Sequence, residues 1–195
     1  MSKESKKKSD YHFDQFEPLD KGFKKIWAPW RLDYILDPDR IKKNTDKKTC
    51  VFCKREKPKN PKDAKKSDRQ DLILRRAKKC YTIMNKFPYT NGHLMIVPFE
   101  HVGEFTKFSK ELAQEFILEV QFSCQILEKV LHAQGFNVGM NLGRAAGAGI
   151  PNHAHMHIVP RWQGDTNFMP IIAHTRVLPE YNEKTYDRLI GAFQK

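Results

Sequence analysis

No apolar run in this sequence approaches the roughly 18 residues needed to cross a bilayer, and the charged opening MSKESKKKSD has no apolar segment behind it. The expectation is a soluble, cytoplasmic protein with no membrane partner. Cysteine is scarce as well. Of Cys50, Cys53, Cys80 and Cys124 only the first two are near neighbours, which argues against a disulfide framework. No internal repeat is visible, and no Gly-Lys-Ser/Thr follows a glycine-rich stretch, so a P-loop is excluded. Net charge is missing from most of the chain. Residues 81–195 hold 10 Lys+Arg against 10 Asp+Glu, whereas residues 1–80 hold 25 against 13, so the whole surplus of +12 lies in the first part.

What is present fits one domain with extensions, since 195 residues suffice for an ordinary core but not for a second full domain. Residues 1–25 are polar and Lys-rich and are expected to form a disordered basic arm. Such an arm attracts nucleic acid through counterion release or is simply a solvated tail. Residues 26–195 are read as the single domain. The aromatic run FKKIWAPWRLDYI (23–35) is suited to dock on it, and residues 54–71, without apolar periodicity, read as an exposed Lys-rich loop.

From Leu72 the pattern becomes regular. LILRR (72–76), CYTIM (80–84) and HLMIV (93–97) are short β-compatible runs, with Asn91-Gly92 as a turn signal before the third. Ser109 is placed to cap a helix whose Leu112, Phe116, Val120, Cys124, Leu127 and Leu131 recur every three to four residues before Gly135. FNVGMNL (136–142) and HAHMHIV (153–159) read as two further strands, and Pro179 to Phe193 as a closing helix. The order β-β-β-α-β-β-α predicts an α+β fold around an antiparallel five-stranded meander, with one long helix and a C-terminal helix.

The chemistry concentrates in Gly147-Ala-Gly149-Ile-Pro-Asn-His153-Ala-His155-Met-His157. Histidines at i, i+2 and i+4 of a strand share one face, roughly 6–7 Å apart. A solvated strand face is one reading of them; facial ligation of a catalytic metal is another, although this neutral body offers few carboxylates to complete such a site. An imidazole nucleophile suits a short chain better. One ring nitrogen attacks when the other keeps its proton and is tied to an acceptor, and attack on phosphorus gives a phosphoramidate that splits one hard displacement into two. The segment from Asn141 through Gly143, Arg144, Gly147 and Gly149 is either a flexible turn or a nest of amides for an anion, and the adjacent histidines favour the nest.

Cys50-Val-Phe-Cys53 is half of a metal site or a redox pair. The redox reading needs a thioredoxin-like βαβ context that the flanking sequence does not offer. Zinc is favoured, with His101 and His153 able to complete a Cys2His2 set. Its role would be structural, and no organic cofactor is expected.

These residues resemble the histidine-triad (HIT) superfamily, whose signature His-x-His-x-His followed by apolar residues stands here as His153-Ala-His155-Met-His157-Ile-Val. The likeness extends from Trp27-Ala-Pro-Trp30 and the Cys50–Cys53 pair through Asn85-Lys-Phe-Pro-Tyr-Thr-Asn-Gly92-His93 to the triad. The stretch Pro160-Arg-Trp162-Gln-Gly164-Asp165-Thr-Asn167-Phe168 looks like the bacterial branch related to diadenosine tetraphosphate phosphorylases. The resemblance implies a nucleotidylated His155, with His157 at the phosphates and His153 a zinc ligand beside Cys50, Cys53 and His101. It further implies Asn85 at the ribose, Asn141 near the phosphates, and Trp162 shaping the site near the contact of a homodimer that extends the sheet. Gly149 departs from the family pattern, which has Gln in many hydrolases and Ser in some phosphorylases four residues before the triad; a missing side-chain donor leaves room for a larger acceptor such as phosphate.

The function expected is cleavage of dinucleoside polyphosphates at the α-phosphate, with phosphate or water as acceptor. A nucleoside phosphoramidate or adenylate hydrolase is the rival within the class. A zinc-stabilised nucleic-acid-binding module working through the basic arm is the rival outside it.

Overall fold

The computed structural model describes residues 46–55, 61–165 and 177–194, all within one compact unit, 41–195. The basic arm 1–25 and the aromatic run 23–35 lie outside the described residues. Five strands form the sheet: β1 (Ile73–Arg76), β2 (Cys80–Met84), β3 (Leu94–Pro98), β4 (Gly135–Gly139) and β5 (Met156–Arg161). All neighbours are antiparallel, as expected, in the order β1-β2-β3-β5-β4. The meander therefore runs through the first three strands, and β5 then inserts between β3 and β4. The order follows from composition. Met156, Ile158, Val159 and Pro160 of β5 are buried, whereas Asn137, Val138 and Gly139 of β4 are exposed, so the less apolar strand takes the edge.

Residues 61–71 overturn the expected loop, because Pro61–Asp71 is a helix, α1. Proline at the first turn costs no hydrogen bond and pre-sets φ. The helix has no apolar stripe because ion pairs hold it: Asp68 to Arg76 at 2.7 Å, Asp71 to Arg55 at 3.1 Å, and Arg69 to Asp187. A helix secured by charge is invisible to a search for apolar periodicity.

The long helix α2 (Lys110–Leu131) starts where expected, with the Ser109 side chain accepting the Leu112 N–H at 3.2 Å. It ends on His132 in the left-handed region, φ 54°. Its buried stripe differs from the expected one. Glu119 and Ser123 are buried, while Val120 and Cys124 pack only partly buried against the same core; Arg75 of β1 reaches Glu119 at 3.1 Å and compensates its charge. The C-terminal helix α3 (Asn182–Phe193) packs beside α2. On this side of the sheet Phe116, Leu127, Ile158, Leu189 and Phe193 form the main core, each contributing about 1.5–3 kcal/mol by leaving water. No helix among the described residues is long and apolar enough to cross a membrane.

The opposite face carries a second cluster, in which Cys50, Phe52 and Cys53 pack on Ile73, Tyr81, Ile83, Met95 and Val97. This face positions the site. Strict alternation along β2 sends Cys80, Thr82 and Met84 toward the helices and Tyr81 and Ile83 toward the cysteine turn. The connection from β2 to β3 spans residues 85–93, longer than the tight hairpin that Asn91-Gly92 suggests. Gly92 does take a positive φ of 73°, and a Cβ there would come within 2.6 Å of Leu131 Cδ1.

Candidate active site and metal centre

The three triad histidines do not stand in a row on a strand. β5 begins only at Met156, so His153 and His155 precede it and only His157 lies on it. The cause is the backbone partner available at residues 153–154. Ala154 N–H donates to Val102 O at 2.7 Å and His153 N–H to Ile150 O at 3.3 Å, not to a sheet neighbour. Gly103 permits this approach, since a Cβ there would lie 2.5 Å from Pro151 O and 2.8 Å from Asn152 Cα. The same backbone bond draws His101 and His153 together.

His153 turns toward the cysteine turn. Its Nδ1 lies 3.4 Å from Cys50 Sγ and 3.5 Å from Cys53 Sγ, and His101 Nδ1 lies 3.2 Å from Cys53 Sγ. The donor atoms of these four residues all fall within 4.8 Å of one another. Tetrahedral zinc with sulfur at about 2.3 Å and nitrogen at about 2.0 Å requires donor separations of about 3.3–3.8 Å, so the geometry fits such an ion. The chemistry fits as well: His153 Nε2 donates to Pro98 O at 2.9 Å, which puts the proton on that nitrogen and leaves the Nδ1 lone pair for a metal. The four ligands expected from the sequence thus converge.

His155 curls back so that Nδ1 donates to the carbonyl of His153 at 3.0 Å. A carbonyl only accepts, so Nδ1 holds the proton and Nε2 keeps its lone pair. Nε2 makes no hydrogen bond among the described residues. The residue is 7% exposed, and burial pushes its pKa below the usual histidine range, against a smaller upward effect of the bond to His153. At neutral pH it is an uncharged imidazole.

His157 has the complementary arrangement, set by a residue to which the sequence reading assigned no role. Fully buried His93 accepts the Tyr89 N–H at Nδ1, 3.1 Å away, and its Nε2 lies 2.9 Å from His157 Nδ1. With His93 Nδ1 occupied as an acceptor, Nε2 carries the hydrogen and donates to His157 Nδ1. The neutral His157 must then hold its own proton on Nε2, where it is available to a substrate oxygen. One histidine offers a lone pair and its neighbour, 4.9 Å away between ring centroids, offers a proton. Asn85 joins this chain through Nδ2, 3.3 Å from His93 Nδ1, while its Oδ1 accepts the Phe87 N–H at 2.9 Å. The signal for His93 was its place directly after Gly92 at the start of an apolar strand, where a fully buried polar side chain needs a partner.

Burial, and secondarily repulsion from His155, lowers the His157 pKa to about 4. An unfolded imidazole titrates near 6.5. Between these values the unfolded chain binds more protons than the folded one, so this residue makes stability fall as pH drops from about 6.5 toward 4 and leaves it intact above. Urea midpoints across pH 4–7.5 are expected to show that fall, and His157→Asn to flatten it.

A cleft of about 980 Å³ opens at His157, lined also by Tyr89, Val138, Asn141, Val159 and Trp162 among others. It is near the upper end of the usual range for ligand pockets. Trp162 is held there by its Nε1–H on Leu131 O, 3.1 Å. Gly147 and Gly149 lie in the exposed turn between β4 and β5. The N–H of Gly147 donates to Arg144 O at 2.9 Å and that of Ala148 to Gly143 O at 3.2 Å. Those amides close the turn, leaving the Gly149 N–H without a hydrogen bond among the described residues. A Cβ on Gly149 would meet nothing within 4 Å.

The HIT domain family matches residues 66–164. The AP-4-A phosphorylase of Mycobacterium tuberculosis is 33% identical over 158 residues, covering 80% of this chain and 77% of the relative. The chain belongs to the HIT family. The asymmetrical bis(5'-nucleosyl)-tetraphosphatase of Schizosaccharomyces pombe is 29% identical over 48% of this chain and 50% of its own length. Among solved structures, a zinc-bound histidine triad family protein from Mycobacterium smegmatis superposes with a TM-score of 0.59 at 25% identity, covering 76% of this chain and 96% of its own. The fold of this HIT protein is thus shared across most of its length, and the five-stranded sheet with its helices is the common part.

Proposed function

We propose that this HIT protein cleaves dinucleoside polyphosphates at the α-phosphate through a nucleotidyl-histidine. The observation that carries the reading is the opposite tautomeric setting of His155 and His157. His155 Nε2 forms a bond to the α-phosphorus while the bond to the bridging oxygen breaks, and the departing nucleotide takes that electron pair. His157 Nε2–H donates to a phosphate oxygen and supports the charge that builds there. In the second step an oxygen of phosphate or water forms the new bond to phosphorus as the P–N bond breaks, any proton on that oxygen passing to solvent. His155 recovers its lone pair. The AP-4-A phosphorylase relative supports this substrate class.

Phosphate is the acceptor we favour, because Gly149 places no side chain in the open space around it. Asn141 and Trp162 would serve the substrate from the cleft wall and Asn85 from the His93 side. Zinc would be held by Cys50, Cys53, His101 and His153, where it supplies a rigid junction and takes no part in the displacement. The exposed outer strand β4, with Val138 46% exposed, would pair two copies into a homodimer.

Product analysis tests the reading. With diadenosine tetraphosphate and phosphate, ADP and ATP are expected; products indifferent to phosphate would assign hydrolysis. No cleavage under either condition, together with cleavage of a nucleoside phosphoramidate, would replace the substrate class.

A further inference from the structure

The turn Cys50-Val51-Phe52-Cys53 does more than present two thiolates. Both sulfurs point toward His101 and His153, while Phe52, 4% exposed, directs its ring at the triad. That ring meets His153 edge-on at 5.4 Å between centroids and His155 at 5.0 Å with an interplanar angle of 54°. The Phe52 backbone is pinned from the sheet, its carbonyl accepting the buried Tyr81 hydroxyl at 3.0 Å and the Arg55 N–H at 3.0 Å. His155 has few other constraints among the described residues: the bond from Nδ1 to His153 O and the edge contact with His157. A hydrogen bond through one nitrogen leaves the ring able to tilt about that bond. A packed aromatic face removes that freedom.

We infer that Phe52 is a positioning residue for the nucleophile, clamping the His155 ring so that Nε2 stays aimed at the α-phosphorus. The inference rests on the reading of His155 as nucleophile. Displacement at phosphorus requires alignment of the attacking and leaving atoms, and a misplacement of about 1 Å costs on the order of 100-fold. The cysteine turn thereby acts on the nucleophile twice: through the carbonyl of His153, whose side chain belongs to the same four-residue centre, and through the ring of Phe52.

Phe52→Ala and Phe52→Leu in the full chain test this. In Phe52→Ala, kcat is expected to fall about 10- to 100-fold, with KM and metal per chain unchanged. Leucine, which refills much of the volume, recovers part of the loss. Carbethoxylation of His155, followed by mass spectrometry, should be faster in both variants than in the parent, because the ring is unclamped. That readout needs no substrate, so it stands even if the parent chain cleaves no dinucleoside polyphosphate. Parent-like kcat and carbethoxylation in Phe52→Ala, or in Phe52→Leu should the alanine variant not fold, would overturn the assignment. So would a rise in KM alone, which marks a substrate contact, or loss of metal in step with kcat, which marks an effect on the ligands.

Discussion

Replacing His155 by alanine is expected to lower turnover by about 10,000-fold or more, the scale on which an enzyme loses a covalent nucleophile. The effect should exceed that of any single change in the cleft, because no other imidazole near His155 has an unengaged lone pair. His157 accepts from His93 at Nδ1, and the Nδ1 of His153 faces two thiols. A quenched mixture of parent enzyme and dinucleotide should carry a nucleotide mass on the peptide containing His153 to His157, and the alanine variant should carry none. Near-full turnover by a purified His155→Ala protein would remove the covalent mechanism, whatever its products.

Loss of the zinc proposed at Cys50, Cys53, His101 and His153 is the other large effect expected. Cys53→Ser, or extraction of metal by a strong chelator, is expected to lower the melting temperature by about 10 °C, which for a chain of this size corresponds to about 3–5 kcal/mol. Cys53 is 7% exposed and belongs to the cluster that covers one face of the sheet, so a failed centre also loosens Phe52 from Ile73, Ile83 and Val97. Activity should fall with it, since His153 joins the centre through its side chain and His155 through its carbonyl. Readdition of zinc to the chelated parent should restore both. An unchanged melting curve after complete metal removal would show that the four residues contribute only as buried core.

Much of this was legible in the chain because it depends on local rules. Ser109 before an apolar repeat marks a helix start wherever the helix goes, and CYTIM at 80–84 matches β2 residue for residue. The donor set Cys50, Cys53, His101 and His153 was legible as chemistry, because thiolate and imidazole favour zinc. What failed depended on charged partners outside the element itself. The helix at 61–71 rests on Arg55, Arg76 and Asp187. Glu119 is buried on α2 where Arg75 of β1 meets it on the helix side of the sheet. Periodicity along the chain carries no information about either pairing.

The amino-acid sequence by itself determined which groups could do the chemistry: three alternating histidines, two paired cysteines, a glycine-rich turn, and the strand and helix runs that carry them. Only the tertiary structure decided which nitrogen of each histidine is engaged and which is left open. The residue type is identical at 153, 155 and 157, and an imidazole becomes ligand, nucleophile or proton donor according to which of its nitrogens is occupied. Pro98 O and the thiols set His153, the His153 carbonyl sets His155, and His93 sets His157. The contacts with Pro98, the cysteines and His93 come from segments dozens of residues away, brought within bonding distance by the register of β3 against β5 and by the glycine at 103 that lets two backbones meet.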